Sequence, residues 1–311
     1  MNSLDAYKNC TLCPRDCRVD RTKGVLGFCG ESSACRVSFL GPHFGEEPSF
    51  TGSQGSGTIF FSGCSSQCFF CQNYQISIQH EGRTITSAEL LSEVQALLAR
   101  GVHNLNFVTP DHFWPHIQWL CRTLREEGVG VPLLFNCSGY QKQQMIGAYA
   151  EVIDIFLPDF KFAESELAKT SMGDARYPEI ALQALREMVR LKGFLDPWDV
   201  TGEQTARRGV LVRHLVLPGH IENSLKVLRL LHREFGPGLP LSVMGQFRPV
   251  PACAKSQKLE RSLQTEEYNR VLELVETLGF EKVYTQELKE ETTFLPDFQD
   301  PDDPFPGNRK K

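Results

Sequence analysis

Gly63-Cys64-Ser65-Ser66-Gln67-Cys68-Phe69-Phe70-Cys71-Gln72-Asn73 follows directly on the apolar run Thr58-Ile59-Phe60-Phe61 and sets three cysteines at x3 and x2 spacing. Three thiols this close along a chain converge readily on one soft metal centre. The next cysteine, Cys121, stands fifty residues further on, in a stretch that reads as helix. An ordinary four-iron cluster takes four cysteines, and a closed zinc site takes four Cys or His ligands. Three ligands leave one iron open. An open iron binds and transforms a small molecule, whereas a saturated one passes electrons or holds structure. The same thiols also suit a zinc knuckle completed by a distant histidine, although zinc ligands usually come as two short-spaced pairs.

A length of 311 residues suits one large α/β domain or two smaller ones, and either buries most of its apolar surface. With 41% hydrophobic and 23% charged residues the chain has the composition of a soluble globular protein. Its net charge of −5 offers no basic field and argues against a nucleic-acid partner. Met1 to Asp20 is polar and cysteine-bearing, and no apolar run approaches a bilayer span. The cytoplasm is the expected compartment, without membrane partners. Eleven cysteines in tight clusters read as metal ligands rather than disulfides.

A second cluster, Cys10-x2-Cys13-x3-Cys17-x11-Cys29 with Cys35 following, is threaded with Pro14, Gly24, Gly27 and Gly30. Turn-forming residues with little periodicity predict no core there, so a second metal at Cys10, Cys13, Cys17 and Cys29 is expected to order the segment. Four thiolates satisfy tetrahedral zinc or a saturated iron-sulfur cluster, and spacing alone does not choose.

Beyond the glycine-rich stretch Gly52 to Gly57, read as a linker, strands and helices alternate. Thr86-x-x-Glu89 is a capping box before Leu90, Leu91, Val94, Leu97 and Leu98, closed by Gly101. Strands are predicted over 104–109, 131–137, 152–157, 209–217, 241–247 and 282–286. Further helices are predicted around Ile117 to Leu124, Ile180 to Val189, 223–234 and 266–278. This order implies parallel strands with right-handed crossovers. Each unusual polar motif stands at a strand end, where parallel α/β folds carry their chemistry: Thr109-Pro110-Asp111-His112, Asn136-Cys137-Ser138-Gly139, Asp159-Phe160-Lys161, Pro218-Gly219-His220 and Gly245-Gln246-Phe247-Arg248. No GxGxxG opens the first crossover, which counts against a dinucleotide fold.

The CxxxCxxC loop after an early strand, with Phe70 just before its third cysteine, resembles the cluster motif of the radical S-adenosylmethionine (SAM) enzymes. That resemblance implies a [4Fe-4S] cluster on Cys64, Cys68 and Cys71, whose open iron is chelated by the amino and carboxylate groups of S-adenosyl-L-methionine. It also implies reductive cleavage of SAM to a 5′-deoxyadenosyl radical, and a one-electron donor such as flavodoxin or ferredoxin. Asp159-Phe160-Lys161 resembles the Asp-x-Lys element of the activating enzymes that helps to hold SAM. Asn136 resembles their Asn-Gly element, and Arg213 with Pro218-Gly219 their fifth strand. The N-terminal CxLCPxxC with its later GxC is similar to the branch (PflX-type) resembling pyruvate formate-lyase activating enzyme. In that branch the implied substrate is a glycine of a partner glycyl-radical enzyme; a small molecule or peptide substrate, or a non-catalytic metal-binding protein, are the alternatives. Where the family shows Gly-Gly-Glu for the SAM amino group, this chain has Thr109-Pro110-Asp111-His112.

The fold expected is a partial (β/α)6 TIM-like barrel over residues 51–290, with a Cys-rich extension at 1–50 and a Pro/Asp-rich tail without regular structure at 291–311. Phenylalanines of the tail are expected to pack on the barrel. His112, His214 and His220 read as strand-end histidines held by hydrogen bonds, with ligand or proton-shuttle roles open. Cys137 and Cys253 are candidate thiol hydrogen donors near the active face, with Cys137 better read as a buried filler.

Overall fold

The computed structural model describes residues 3–256, 258–288 and 295–305. Among these the strands are β1 (Arg36–His43), β2 (Ser56–Phe61), β3 (Arg83–Thr84), β4 (Leu105–Val108), β5 (Leu133–Cys137), β6 (Ile155–Pro158), β7 (Gly209–Val210), β8 (Val212–Leu215), β9 (Leu241–Met244) and β10 (Val283–Thr285). The helices are α1 (Pro48–Thr51), α2 (Tyr74–Ser77), α3 (Ser87–Ala99), α4 (Trp114–Glu126), α5 (Gln143–Ala150), α6 (Ser165–Met172), α7 (Tyr177–Lys192), α8 (Ile221–Phe235) and α9 (Thr265–Leu278). Strands β2, β4, β5 and β6 pair in parallel in that order. Asp159 bridges to Arg213 and carries the run on to β8, β9 and β10, again in parallel. The result is the expected partial barrel of parallel strands with helical crossovers. Every residue of β2, β4 and β6 is buried, as strands covered on both faces require.

Local chemistry sets the crossovers. Thr86 caps α3 as its sequence predicts: its hydroxyl accepts from the Glu89 N–H at 3.2 Å, and the Glu89 carboxylate accepts from the Thr86 N–H at 2.8 Å. Helix α8 buries Ile221, Leu225, Leu228 and Leu231 at helical spacing against the strands. No described helix is long and apolar enough to cross a membrane.

Several segments differ from the sequence reading. Strand β1 was not foreseen; it runs antiparallel to β2 with an irregularity between Val37 and Phe39. Its Gly41-Pro42 pair breaks the strand pattern, but β3 covers only Arg36 and Val37, so Pro42 lies where β1 is an edge, and edges tolerate proline. The strand predicted over 152–157 starts later, at Ile155, because the N–H groups of Val152 and Ile153 still donate back to Tyr149 O at the end of α5. The stretch read as a linker is partly strand: Ser56 and Gly57 belong to β2, and a Cβ on Gly57 would lie 2.8 Å from Asn104 O. The N-terminal segment has a small core of its own, Tyr7, Cys10 and Leu12.

Residues 295–305 have no helix or strand, and their rings lie on the barrel. Phe298 and Phe305 have centroids 5.4 and 5.3 Å from that of Phe60. Phe294 and residues 306–311 of the expected tail lie outside the described residues.

At the carboxyl ends of β5 and β6 the backbones approach so closely that only glycine fits. Gly139 has φ +76°, and a Cβ there would stand 2.1 Å from Asp159 O. Gly101 also has a positive φ, +81°, but nothing within 4 Å. Gly139→Ala should therefore cost on the order of 2 to 4 kcal/mol and Gly101→Ala only about 1 kcal/mol. Urea unfolding midpoints compare them, and equal losses would show that the close approach does not matter.

Candidate metal centre and cofactor cavity

Parallel strands deliver their carboxyl ends to one edge, and a cavity of about 630 Å³ opens there. Cys64, Cys68 and Cys71 line it together with Phe70, Asn136, Asp159, Lys161 and Arg213. These come from the loop after β2 and from the ends of β5, β6 and β8, so the cavity unites all the residues singled out in the sequence for cluster and cofactor.

The cysteine loop is held from below. Gly63 turns out of β2 at φ +78°, where a Cβ would meet Glu31 Cγ at 2.5 Å and Cys29 O at 2.7 Å. Gln67 takes a left-handed conformation, φ 46°, between the first two cysteines. The Ser66 N–H donates to Cys64 Sγ (3.3 Å) and the Cys71 N–H to Cys68 O (3.0 Å). Arg15 donates to the carbonyls of Ser65 (2.9 Å), Ser66 (3.2 Å) and Met172 (2.6 Å), clamping the loop to α6. Phe70 is buried edge-on to Phe162 and Phe247.

Burial pushes the Cys64 and Cys68 thiols up to about 12, so an incoming metal must displace their protons. Cys64 has Cys68 and Cys71 as charge neighbours. Among the described residues no three Cys, His, Asp or Glu side chains crowd one point as ligands of a single ion do. A four-iron cube binds each thiolate at a different corner, so thiols set apart around one cavity fit it.

Asp159 and Lys161 form an ion pair on the cavity wall. Burial opposes the Lys161 charge, but Asp159 beside it outweighs that and holds the ammonium well above the usual lysine range. The Tyr177 hydroxyl pins both strand ends: it accepts from the Lys161 N–H (2.8 Å) and lies 2.9 Å from Ser138 O and 3.0 Å from Asp159 O. Phe160, between the paired side chains, is turned into the core. Ser138 also meets the cysteine loop, through Ser66 at 2.8 Å.

Beside this pair, on the strand that Asp159 bridges to, Arg213 has partners that were not foreseen. Arg213 Nε donates to Glu47 Oε1 at 2.9 Å, and its Nη2 contacts both Glu46 and Glu47. Asn106 donates to the other Glu46 oxygen at 2.9 Å. Two adjacent glutamates before Pro48 look like any solvated turn; only the fold brings them to Arg213 of β8.

The remaining candidates divide. Thr109 lines the cavity with φ 55°, a costly conformation for a β-branched residue. Asp111 lies behind the cysteine loop, accepting from Ser65 Oγ at 2.7 Å, and burial pushes its carboxyl up to about 6. Cys137 lines the cavity; its charge neighbours are Asp111, Asp159 and Lys161. Cys253 is buried outside the lining. His214 is a satisfied core residue, with Nδ1 on Phe160 O (2.7 Å) and Nε2 on Ser224 Oγ (2.9 Å). His112 is buried with Nε2 on Ser62 O (2.7 Å), and His220 lines a separate cavity.

No family model matches the chain. An uncharacterized protein of Methanocaldococcus jannaschii is 27% identical over 286 residues, 89% of this chain and 77% of its own length. Among solved structures, HydG, a maturase of the [FeFe]-hydrogenase, superposes with a TM-score of 0.51 at 15% identity, covering 75% of this chain and 52% of that one. Methylornithine synthase superposes with a TM-score of 0.47 at 14% identity, covering 76% and 72%. The likeness to HydG is one of fold alone, a partial barrel of parallel strands with helical crossovers.

Arg213 is the counter-charge of two buried carboxylates, and removing it leaves them unpaired. Burial raises the Glu47 carboxyl and Arg213 pulls it back below its ordinary value. In Arg213→Met, Glu47 should titrate above that value. Its folded state then binds the extra proton, so the deficit is small below about pH 4.5 and grows as pH rises through the shifted titration. A loss of about 3 to 5 kcal/mol at pH 7.5, shrinking toward pH 4.5, is expected in denaturant midpoints; a pH-independent loss would contradict this assignment.

Proposed function

We propose that the protein is a radical SAM iron-sulfur enzyme. Cys64, Cys68 and Cys71 hold a [4Fe-4S] cluster and leave one iron for S-adenosyl-L-methionine, with Asn136, Asp159 and Lys161 holding the rest of that ligand. The observation that carries this reading is that three cysteines with an x3, x2 spacing share one cavity with the Asp-x-Lys pair from β6. When bound, the cluster supplies one electron that cleaves SAM to methionine and a 5′-deoxyadenosyl radical, which takes a hydrogen atom from the substrate.

Charge favours this ligand. The charged side chains in the lining are Glu46, Glu47, Asp159, Lys161 and Arg213, three anions against two cations. SAM, with a sulfonium and an ammonium against one carboxylate, carries the opposite excess. Lys161 suits its carboxylate, and Asp159 suits its ammonium or ribose hydroxyls. Phe70 keeps the cysteine loop rigid. Phe305 and Pro296 close the rim with apolar surface, which excludes water from a reactive site.

The substrate proposed first is a glycine of a partner glycyl-radical enzyme, in the branch similar to pyruvate formate-lyase activating enzyme. It is supported by the Asp-x-Lys and Arg/Pro-Gly resemblances and by the N-terminal CxLCPxxC. Flavodoxin or ferredoxin in the cytoplasm is the proposed electron donor. A genome without any glycyl-radical enzyme would exclude this substrate and leave a small molecule or peptide.

Anaerobically reconstituted protein with dithionite and SAM should release 5′-deoxyadenosine. The variant with Cys64, Cys68 and Cys71 all changed to Ala should lose the cluster absorption and EPR signal of this site; retention, or no SAM cleavage by the parent, overturns the reading. Asp159→Asn and Lys161→Met should weaken SAM binding roughly ten- to a hundredfold, about 1.5 to 3 kcal/mol, with unchanged iron content. Parent-like affinity in both would reduce the pair to a structural ion pair.

A further inference from the structure

We propose that Cys10, Cys13, Cys17 and Cys29 hold a second metal centre, zinc or an iron-sulfur cluster bound by four thiolates, against the back of the loop that carries Cys64, Cys68 and Cys71. This goes beyond the function proposed above and does not rest on it.

The segment is folded around its sulfurs. Cys10 and its neighbours close a loop through Cys10 N–H to Val19 O (3.0 Å) and Arg18 N–H to Cys10 O (2.8 Å). Asp16 and Arg18 sit in the left-handed region, φ 47° and 55°, to bring Cys13 and Cys17 back toward Cys10. Such strain persists where the surroundings over-determine it. Gly27 lies between two sulfurs: a Cβ there would be 3.6 Å from Cys17 Sγ and 3.7 Å from Cys29 Sγ. Cys13 feels the charges of Asp111, Cys29 and Cys10, so it lies on the same side of the segment as they do.

Two of the four sulfurs accept an N–H: Arg21 Nη1 donates to Cys10 (3.7 Å) and the Phe28 N–H to Cys17 (3.2 Å). N–H donors around sulfur stabilise negative charge on it. Cys35 is buried as well.

The strongest observation is Arg21, fully buried at 0% exposure. Its guanidinium donates to Glu31 O (3.0 Å), Ser32 O (2.7 Å), His112 O (2.6 Å) and Cys10 Sγ, none of them a carboxylate. Tyr7 lies under it at 4.5 Å, a neutral ring. A buried cation needs nearby negative charge, and the buried carboxylate of Asp111 supplies part of it without a hydrogen bond to the guanidinium. Four thiolates around a doubly positive centre leave roughly two negative charges, which answers that need whether the centre is zinc or an iron-sulfur core. Thiols standing apart span a cluster directly and must close further on a single zinc ion.

The site adjoins the first one. Arg15, between Cys13 and Cys17 in the chain, holds Ser65 O and Ser66 O, and Gln67 Nε2 donates to Phe28 O at 2.8 Å. Loss of the centre therefore loosens the platform under the cysteine loop.

Iron, zinc and acid-labile sulfide are measured per chain on the anaerobically prepared full-length protein, on Cys13→Ser/Cys17→Ser, and on the variant lacking Cys64, Cys68 and Cys71. The Cys13/Cys17 variant should lose one zinc, or the iron and sulfide of one cluster, while keeping the iron of the other site; the second variant should show the complementary loss. Loss of zinc identifies a zinc centre, loss of iron with sulfide an iron-sulfur one. Unchanged metal content in the Cys13/Cys17 variant overturns the proposal, and so does loss of all metal on removing Cys64, Cys68 and Cys71. Because metal content is read rather than SAM cleavage, the proposal stands or falls apart from the enzymatic reading. Should the Cys13/Cys17 variant not fold, the parent decides. Cys13 and Cys17 should resist iodoacetamide until a chelator is added, and their prompt alkylation without chelator overturns the site.

Discussion

Parallel pairing is the constraint on which the rest of this molecule depends. Once β2, β4, β5 and β6 run side by side in one direction, their carboxyl ends must share an edge, and each loop that leaves them opens onto the same space. Residues far apart in the chain thereby become neighbours without any contact between their own segments. The pairing is stable because these strands are buried on both faces, and the helices between them supply the cover. Tyr177 shows how rigid the shared edge is, since one hydroxyl ties the ends of β5 and β6 together.

Within that edge, charge is matched in a low-dielectric setting. Asp159 pairs with Lys161, and on the neighbouring strand Arg213 pairs with Glu46 and Glu47. Buried ions of this kind add little net stability when paired and cost much when a partner is removed, so each pair fixes its neighbours in place. The cavity thereby has a polar part, while Phe60 and Phe305 give it an apolar one backed by Phe298. That layer ties residues 295–305 to the edge, helped by Phe298 N–H donating to Gln75 at 2.8 Å.

The N-terminal segment works differently. Its own apolar cluster is small, and its order comes from polar contacts that reach the barrel: Arg15 to the cysteine loop and Arg21 to His112 O. A segment of this kind braces the site from behind, and β1, which follows it in the chain, extends the sheet.

The sequence by itself determined what depends on near neighbours. The x3, x2 cysteine spacing, the Thr86 and Glu89 capping box and the alternation of apolar strands with amphipathic helices are local patterns, and local geometry follows from them. Asp159 and Lys161 fall on one side of Phe160, as strand-like alternation carried past the end of β6 places them. Only the tertiary structure decided which strand-end residues meet. Cys137 reaches the cavity and Cys253 does not; Thr109 lines it while Asp111 lies behind the loop; Glu46 and Glu47, unremarkable in the sequence, become the partners of Arg213. The physical reason is that spacing along a chain encodes direction within one element, whereas the distance between two elements is set by pairing register and packing across the sheet, which no local pattern carries.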